Sequence, residues 1–319
     1  MKAAVLHEVG GIPRYEQFPD PVAGPGEVII DVKAVAVENV DKMVAAGQHY
    51  ASKQYVSQLP AIPGFDGVGA LPDGSVVGFA NPRPPYGALA EKTVVASDSV
   101  GPIPAGLDPA AAVVLATAVT GMSIRTAAGF VAGETVLIQG ATGVAGRLAV
   151  KVARLLGAGR IVATGRDEGA LREVQALGAD TTINTAVPDD ALAQAFTEAR
   201  GEGYDVVLDF LWGRPTEILL RTLVPAAFTF PKPTRLIQVG ESAGPALTLT
   251  ADSLRTSGVE IYGVSRGLSA ATMGEVYGQI VQWAQTGALT FDVEKVPLSD
   301  IETAWQRTDL RGKRLVVVP

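Results

Sequence analysis

The chain has 319 residues and a formal net charge of −7, from 26 Lys plus Arg against 33 Asp plus Glu, with two His and no Cys. That length suits two domains with a core each, since domains run to roughly 150 residues, and 47% hydrophobic with 18% charged residues are globular values. The basic residues form no stripe that could follow a phosphate backbone, which argues against a nucleic-acid partner, and the missing cysteines remove disulfides, thiolate nucleophiles and every Cys-based zinc site.

The opening residues, MKAAVLHEVGG, meet a histidine and a glutamate early and lack the apolar core of a secretory signal. The longest weakly polar stretch, Pro109 to Met122, reads as too short to span a bilayer. A cytoplasmic protein with no membrane partner is the expectation. From Lys2 to about Val100, short β-like runs such as KAAVL, GEVIIDVKAVAV and EKTVVA alternate with turn clusters such as PDPVAGPG and NPRPPYG. The stretch from Asp41 to Pro63 breaks this pattern with polar and aromatic residues and is a candidate substrate loop.

After about Ala116 the rhythm becomes strand then helix. ETVLIQG precedes a helix from Gly143 to Leu156, RIVATG precedes one from Glu168 to Leu177, and TTIN precedes one from Asp189 to Arg200. YDVVLDF, a helix near Pro215 to Leu223, RLIQVG and VEIYGVS continue the series. Continuous apolar strands alternating with helices predict a parallel sheet covered on both faces. A helix around Thr272 to Gln285 and the strand RLVVV close the chain, with no internal repeat.

The strongest local signal is ETVLIQGATGVAGRLAVKVARLLG, residues 134–157. Gly140 permits a sharp exit from a strand, Gly143 lets backbone N–H groups approach a pyrophosphate, and Gly146 lets the helix pack closely on the sheet. Ala145, Leu148, Ala149, Val152, Leu155 and Leu156 lie at helical spacing and predict the buried face. The pattern Ala141-x-Gly143-x-x-Gly146 departs from G-x-G-x-x-G at its first position, and an ordinary tight turn is the plain alternative. A second strand about 20 residues on, with further strand–helix units, favours a dinucleotide. At its tip stands Ala163-Thr164-Gly165-Arg166-Asp167, where a cation suits a ribose 2′-phosphate. NADPH is therefore expected over NADH, with a surface arginine paired to Asp167 or Glu168 as the alternative.

GEVIIDVKAVAVENVDKMVAAGQHY, PAIPGFDGVG, YGALAEKTVVASDSVGPIPAGLDPAAAVVLATAVTG, ETVLIQGATGVAGRLAV, RLIQVG and GKRLVVVP follow one another over nearly the whole chain. Together they resemble the zinc-independent quinone oxidoreductases, the zeta-crystallin-like branch of the medium-chain dehydrogenase/reductase superfamily. The resemblance implies an α/β protein in which a GroES-like strand-rich catalytic domain, residues 1–116, joins a Rossmann doubly wound parallel-sheet cofactor domain, residues 117–265. Residues 266–319 would return to complete the catalytic domain, and the protein would be a homodimer. Zinc-dependent relatives place a cysteine near Glu38-Asn39-Val40 and a His-Glu pair where this chain has Phe65-Asp66. His7 and His49 have no evident co-ligands, so no metal site is expected.

By the same resemblance Asn39 and Tyr50 line the substrate pocket as neutral donors, although Tyr50 could equally be a loop aromatic. Thr120 would lie beside the nicotinamide, and Thr142, Gly143, Val144 and Ala145 at the pyrophosphate. Gly165 and Arg166 would take the 2′-phosphate, and Gly240, Val264 and Ser265 the nicotinamide and its carboxamide. Phe210-Leu211-Trp212 either caps the sheet edge or narrows the pocket. Without a metal, conjugate reduction is favoured, because an enone or quinone spreads the charge that hydride brings while a simple ketone concentrates it. The expected reaction is hydride transfer from NADPH to a quinone or α,β-unsaturated carbonyl, with the proton from solvent or Tyr50. An enoyl-thioester reductase or alcohol dehydrogenase of the same fold is a second reading, and an NADPH-binding sensor or structural protein without turnover a third.

Overall fold

The computed structural model describes the chain apart from Ser57, Pro104, Ala105, Phe291, Arg311 and the side chain of Ala270. It divides into two compact units, Met1–Leu115 with Phe291–Pro319, and Ala116–Thr290.

In the first unit the long strand Glu27–Val37 is the spine of a mixed sheet. It pairs antiparallel with Asp66–Ala70, Lys92–Ala96 and the C-terminal strand Arg314–Val318. The β-branched residues that fill it fit a pleated, half-buried surface. Val76–Ala80 and Val100–Pro102 extend the sheet on one side, and Val293–Pro297 runs parallel to Arg314–Val318 on the other. Leu6, Ile30, Phe79, Leu89, Trp305, Leu315 and Val317 share one core, so both ends of the chain are held by burial of apolar surface in the same cluster.

The second unit is a six-stranded parallel sheet. Across it run Thr181–Asn184, Arg160–Gly165, Thr135–Gln139, Val206–Asp209, Thr234–Gln238 and Val259–Gly263. Numbered along the chain, that order is three, two, one, four, five, six, and it reverses direction between Thr135–Gln139 and Val206–Asp209. Alternate residues feed opposite faces: Val136 and Ile138 pack with Ala149, Val150 and Ala153, while Leu137 packs with Leu192, Phe196 and Leu219. Helices on both faces explain why these strands are continuously apolar.

Three expectations are corrected. The helix Ala270–Gln285 belongs to the second unit and not to the returning segment. Arg266 donates to the Ala127 carbonyl at 2.8 Å, and Lys151 Nζ to the Thr290 carbonyl at 3.0 Å, tying both ends of that stretch there. Helix Val144–Leu155 buries Gly146, Arg147, Leu148, Ala149, Val150, Val152 and Ala153, while Leu155 is exposed and Ala145 is only half-buried, so its buried face is not the one expected. The apolar stretch Pro109–Thr126 reaches 18 residues at mean hydropathy 1.2, enough by length and composition to cross a membrane, and 61% of it is buried within the protein.

Candidate functional site

Strand order reverses where the carboxyl ends of Thr135–Gln139 and Val206–Asp209 lie side by side, the place where an open parallel sheet leaves a crevice. The first strand leaves through Gly140 at φ +79, a left-handed conformation that favours glycine. Gly140 N–H donates to Thr164 Oγ1 at 3.0 Å and Ala141 N–H to the Thr164 carbonyl at 2.8 Å, clamping the turn to the neighbouring strand. Gly143 then caps helix Val144–Leu155 in extended geometry, and no side chain caps it. Donors at such a helix start suit an anion. A Cβ added at Gly146 would run into the Gly140 carbonyl and lie 2.6 Å from Ala141 Cα, so this glycine is required for packing. A Cβ at Gly143 would meet nothing closer than the Gly140 carbonyl oxygen at 3.8 Å. Within the folded chain, then, Gly143 has no packing reason to be a glycine. A phosphate resting on the amides would supply one.

Beside this turn, Gly165 ends the strand Arg160–Gly165, and a Cβ there would overlap the Thr142 side chain and reach Leu171 Cδ2 at 3.0 Å. Arg166 follows, exposed, and Asp167 caps helix Glu168–Ala176 by accepting the Ala170 N–H at 2.8 Å. Arg147 joins the two regions. Its Nε donates to the Thr142 carbonyl at 3.0 Å and its Nη2 contacts Glu173 at 2.6 Å, with the guanidinium almost fully enclosed.

On the other side of the crevice, Val239 and Gly240 donate to the Asp209 carbonyl at 2.9 and 3.1 Å, and Ala243 to that of Leu211 at 2.8 Å. The Ser242 hydroxyl donates to the Phe210 carbonyl at 3.0 Å. The Asp209 carboxylate accepts the N–H groups of Leu211 and Trp212 at 2.9 and 3.1 Å and the Thr216 hydroxyl at 2.6 Å, and Gln139 Nε2 donates to Thr216 Oγ1 at 3.0 Å. Burial pushes the Asp209 carboxyl up, against those three donors. Trp212 is held at φ +55, rare for a bulky residue. Leu211 Cδ2 stands 2.9 Å from where a Gly140 Cβ would be, so this segment walls the glycine turn. Val264 donates to the Gln238 carbonyl at 3.0 Å, and Ser265 follows at the end of the edge strand. Thr120 lies within helix Leu115–Thr126, its hydroxyl donating to the Thr117 carbonyl at 2.8 Å. One sheet edge thus gathers Thr142 to Ala145, Gly165, Arg166, Gly240, Val264 and Ser265.

Asn39 and Tyr50 belong to the first unit. Asn39 is the exposed first residue of helix Asn39–Ala45, whose start is a capping box between Glu38 and Asp41. Tyr50 is 91% exposed, its ring 4.0 Å from that of His49. The Arg314 guanidinium contacts Glu38 Oε1 at 2.9 Å and donates to the Val37 carbonyl at 3.3 Å. Burial pushes the Asp41 carboxyl well up, opposed by the Glu38 N–H at 2.7 Å and aided by the charges of Glu38 and Asp66. Burial and Glu38 push Asp66 up to about 7, with Arg314 opposing. His7 contacts Glu16 at 2.9 Å.

Residues 145–227 match the family model described as zinc-binding dehydrogenase. The chain is 27% identical to the probable NADPH-dependent quinone reductase tdiC of Emericella nidulans, over 96% of each protein. It is 30% identical to the chloroplastic NADPH-dependent alkenal/one oxidoreductase of Arabidopsis thaliana, over 66% of this chain and 57% of that one. Among solved structures, the quinone oxidoreductase from Thermus thermophilus superposes with a TM-score of 0.76 at 27% identity, over 100% of both chains. Over nearly its whole length the chain is thus similar to quinone reductases. The parallel sheet is a Rossmann domain and the mixed sheet a GroES-like domain.

Sequence reasoning missed several of the polar groups that brace this site. Arg147 was a visible cation inside an apolar helix pattern, but its partner Glu173 lies 26 residues away. The Glu38 and Asp41 capping box could have been read from E-x-x-D. The Gln139–Thr216–Asp209 chain joins residues up to 77 apart and carried no local signal.

Proposed function

We propose that the protein transfers hydride from NADPH to a quinone or an α,β-unsaturated carbonyl without zinc. The observation that carries the reading is the uncapped helix start at Gly143, open to an anion at the point where strand order reverses. The backbone N–H groups of Val144 and Ala145 would hold the pyrophosphate against Gly143, whose own N–H donates to the Gly140 carbonyl at 3.3 Å. Arg166 beside Gly165 would pair with the 2′-phosphate through a charge-assisted, bidentate contact. The Val264 carbonyl and the Ser265 backbone would meet the carboxamide beside Gly240, whose N–H is held by the Asp209 carbonyl, and Thr120 would pack beside the ring. When bound, NADPH supplies the hydride.

The donor set supports work without a metal. The chain has no cysteine and two histidines, His7 engaged with Glu16, and no group of three or more His, Asp or Glu suited to an ion occurs among the described residues. Charge arriving on a conjugated oxygen is spread widely enough for hydrogen-bond donors to hold it. Asn39 is one such donor at the entrance of the substrate segment. Likeness to an NADPH-dependent quinone reductase and to an alkenal/one oxidoreductase supports this substrate class.

The test is NADPH oxidation by the purified chain with a naphthoquinone, an enone and a crotonyl thioester. Turnover of the first two above the third is expected. Preference for the thioester would move the activity to enoyl reduction, and silence on all three would leave a nucleotide-binding protein without turnover.

A further inference from the structure

The segment between Asp41 and Pro63 holds a second tyrosine besides the exposed Tyr50. Tyr55 ends the short helix Ser52–Tyr55 and is half-buried. Its ring stands edge-to-face on Phe65, with centroids 4.6 Å apart and planes at 77°. Its hydroxyl donates to Asn81 Oδ1 at 3.1 Å. Asn81, just past the strand Val76–Ala80, holds φ +53, and its N–H donates to the Phe65 carbonyl at 2.8 Å. Phe65 therefore supports both partners: its ring carries the phenol, and its carbonyl carries the residue that the phenol addresses.

Asparagine tolerates a left-handed backbone better than most residues, but glycine would adopt it without steric cost. What asparagine adds at this position is an amide, and that amide meets Tyr55. Strained positions kept against a cheaper alternative concentrate at functional sites. Burial also raises the Tyr55 phenol above its ordinary range, so it stays a neutral donor throughout the neutral pH range. Tyr50 has no comparable anchoring, with its ring resting on His49 and 91% of its surface open.

We propose that Tyr55, aimed by Asn81, is the hydrogen-bond donor that meets the substrate's carbonyl oxygen. This rests on the hydride-transfer reading above. As hydride adds to the β-carbon of an enone, the C=C pair shifts to join the α-carbon and carbonyl carbon, and the carbonyl pair moves onto oxygen. The Tyr55 O–H turns from Asn81 Oδ1 to that oxygen and keeps its proton. Water then protonates the α-carbon, and the carbonyl reforms.

The test is steady-state NADPH oxidation with cyclohexenone and menadione, together with thermal melting. Tyr55→Phe is expected to lower kcat with cyclohexenone by about 10- to 100-fold, with KM for NADPH unchanged. Tyr50→Phe is expected to lower it less. Asn81→Gly frees the backbone while removing the amide, so its Tm holds or rises while kcat falls, a divergence that a purely structural role would not produce. With the wild type active, the inference is overturned by a Tyr55→Phe kcat close to wild type, by a larger loss in Tyr50→Phe, or by Tm and kcat falling together in Asn81→Gly. A wild type silent on both substrates overturns the hydride-transfer reading and this inference with it.

Discussion

Adding a methyl group at Gly143 separates the needs of folding from the needs of a ligand. In the folded chain the new Cβ has the Gly140 carbonyl oxygen at 3.8 Å as its nearest neighbour, and φ −75 with ψ 168 suits any L residue. The cost to folding is that of a poorer helix cap, about 1 kcal/mol, or roughly 2–4 °C in Tm. A phosphate held by the amides of Val144 and Ala145 would touch that methyl and be pushed away from both donors at once. Weakening two charge-assisted hydrogen bonds at about 1.5 kcal/mol each raises the Kd for NADPH about 100-fold. Gly146→Ala is the internal contrast, because its methyl strikes the Gly140 carbonyl and Ala141, an overpacking that costs about 1–3 kcal/mol in stability whether or not cofactor is present. Isothermal titration with NADPH and thermal melts of both variants read the two effects apart. A Gly143→Ala protein that binds NADPH as wild type does would refute the placement of the phosphates.

Three further outcomes are expected. Arg166→Ala raises KM for NADPH by about tenfold or more and leaves that for NADH nearly unchanged, since the exposed guanidinium would serve the 2′-phosphate alone; equal changes with both nucleotides would remove Arg166 from the 2′-phosphate site. Arg147→Met unlinks the phosphate turn from helix Glu168–Ala176 and leaves the Thr142 carbonyl without its donor, so NADPH affinity falls by about 3- to 30-fold at an accompanying stability loss of about 1–2 kcal/mol; stability loss with affinity intact would limit Arg147 to a structural part. Asp66 gives a pH signature. Its folded pKa of about 7 stands above the ordinary 3.8, so its contribution is full at low pH and is lost as pH rises through about 7. Wild type therefore loses up to about 4 kcal/mol relative to Asp66→Asn between about pH 4 and 7. Urea unfolding of both proteins at several pH values checks this, and parallel curves would contradict it.

The Rossmann half was legible because its strands, buried on both faces, are written as continuous apolar runs such as Val136-Leu137-Ile138 and Val206-Val207-Leu208. Helix Asp189–Arg200 falls where its spacing put it. The glycine turn was legible too, since close approach leaves only glycine at Gly146. The stretch after Asp41 was harder. It was expected to be irregular, yet helices Asn39–Ala45 and Ser52–Tyr55 form there, short enough for single polar contacts to decide them. The buried charges were least legible. Arg314 lies 277 residues from the Val37 carbonyl it reaches and beside Glu38, and only the antiparallel pairing of the last strand with Glu27–Val37 brings them together. Such pairings depend on tertiary register, which no window of sequence contains.

The lacing of residues 209–213 to 239–243 has a consequence for how a nucleotide is received. Carbonyls of Asp209, Phe210 and Leu211 are committed to the facing loop, and the Asp209 carboxylate fixes the peptide plane before Trp212. That rim has little freedom left to surrender when a guest arrives. Association there would be closer to a key meeting a finished lock than to a mouth closing, and most of the cofactor's ordering penalty would fall on the cofactor itself.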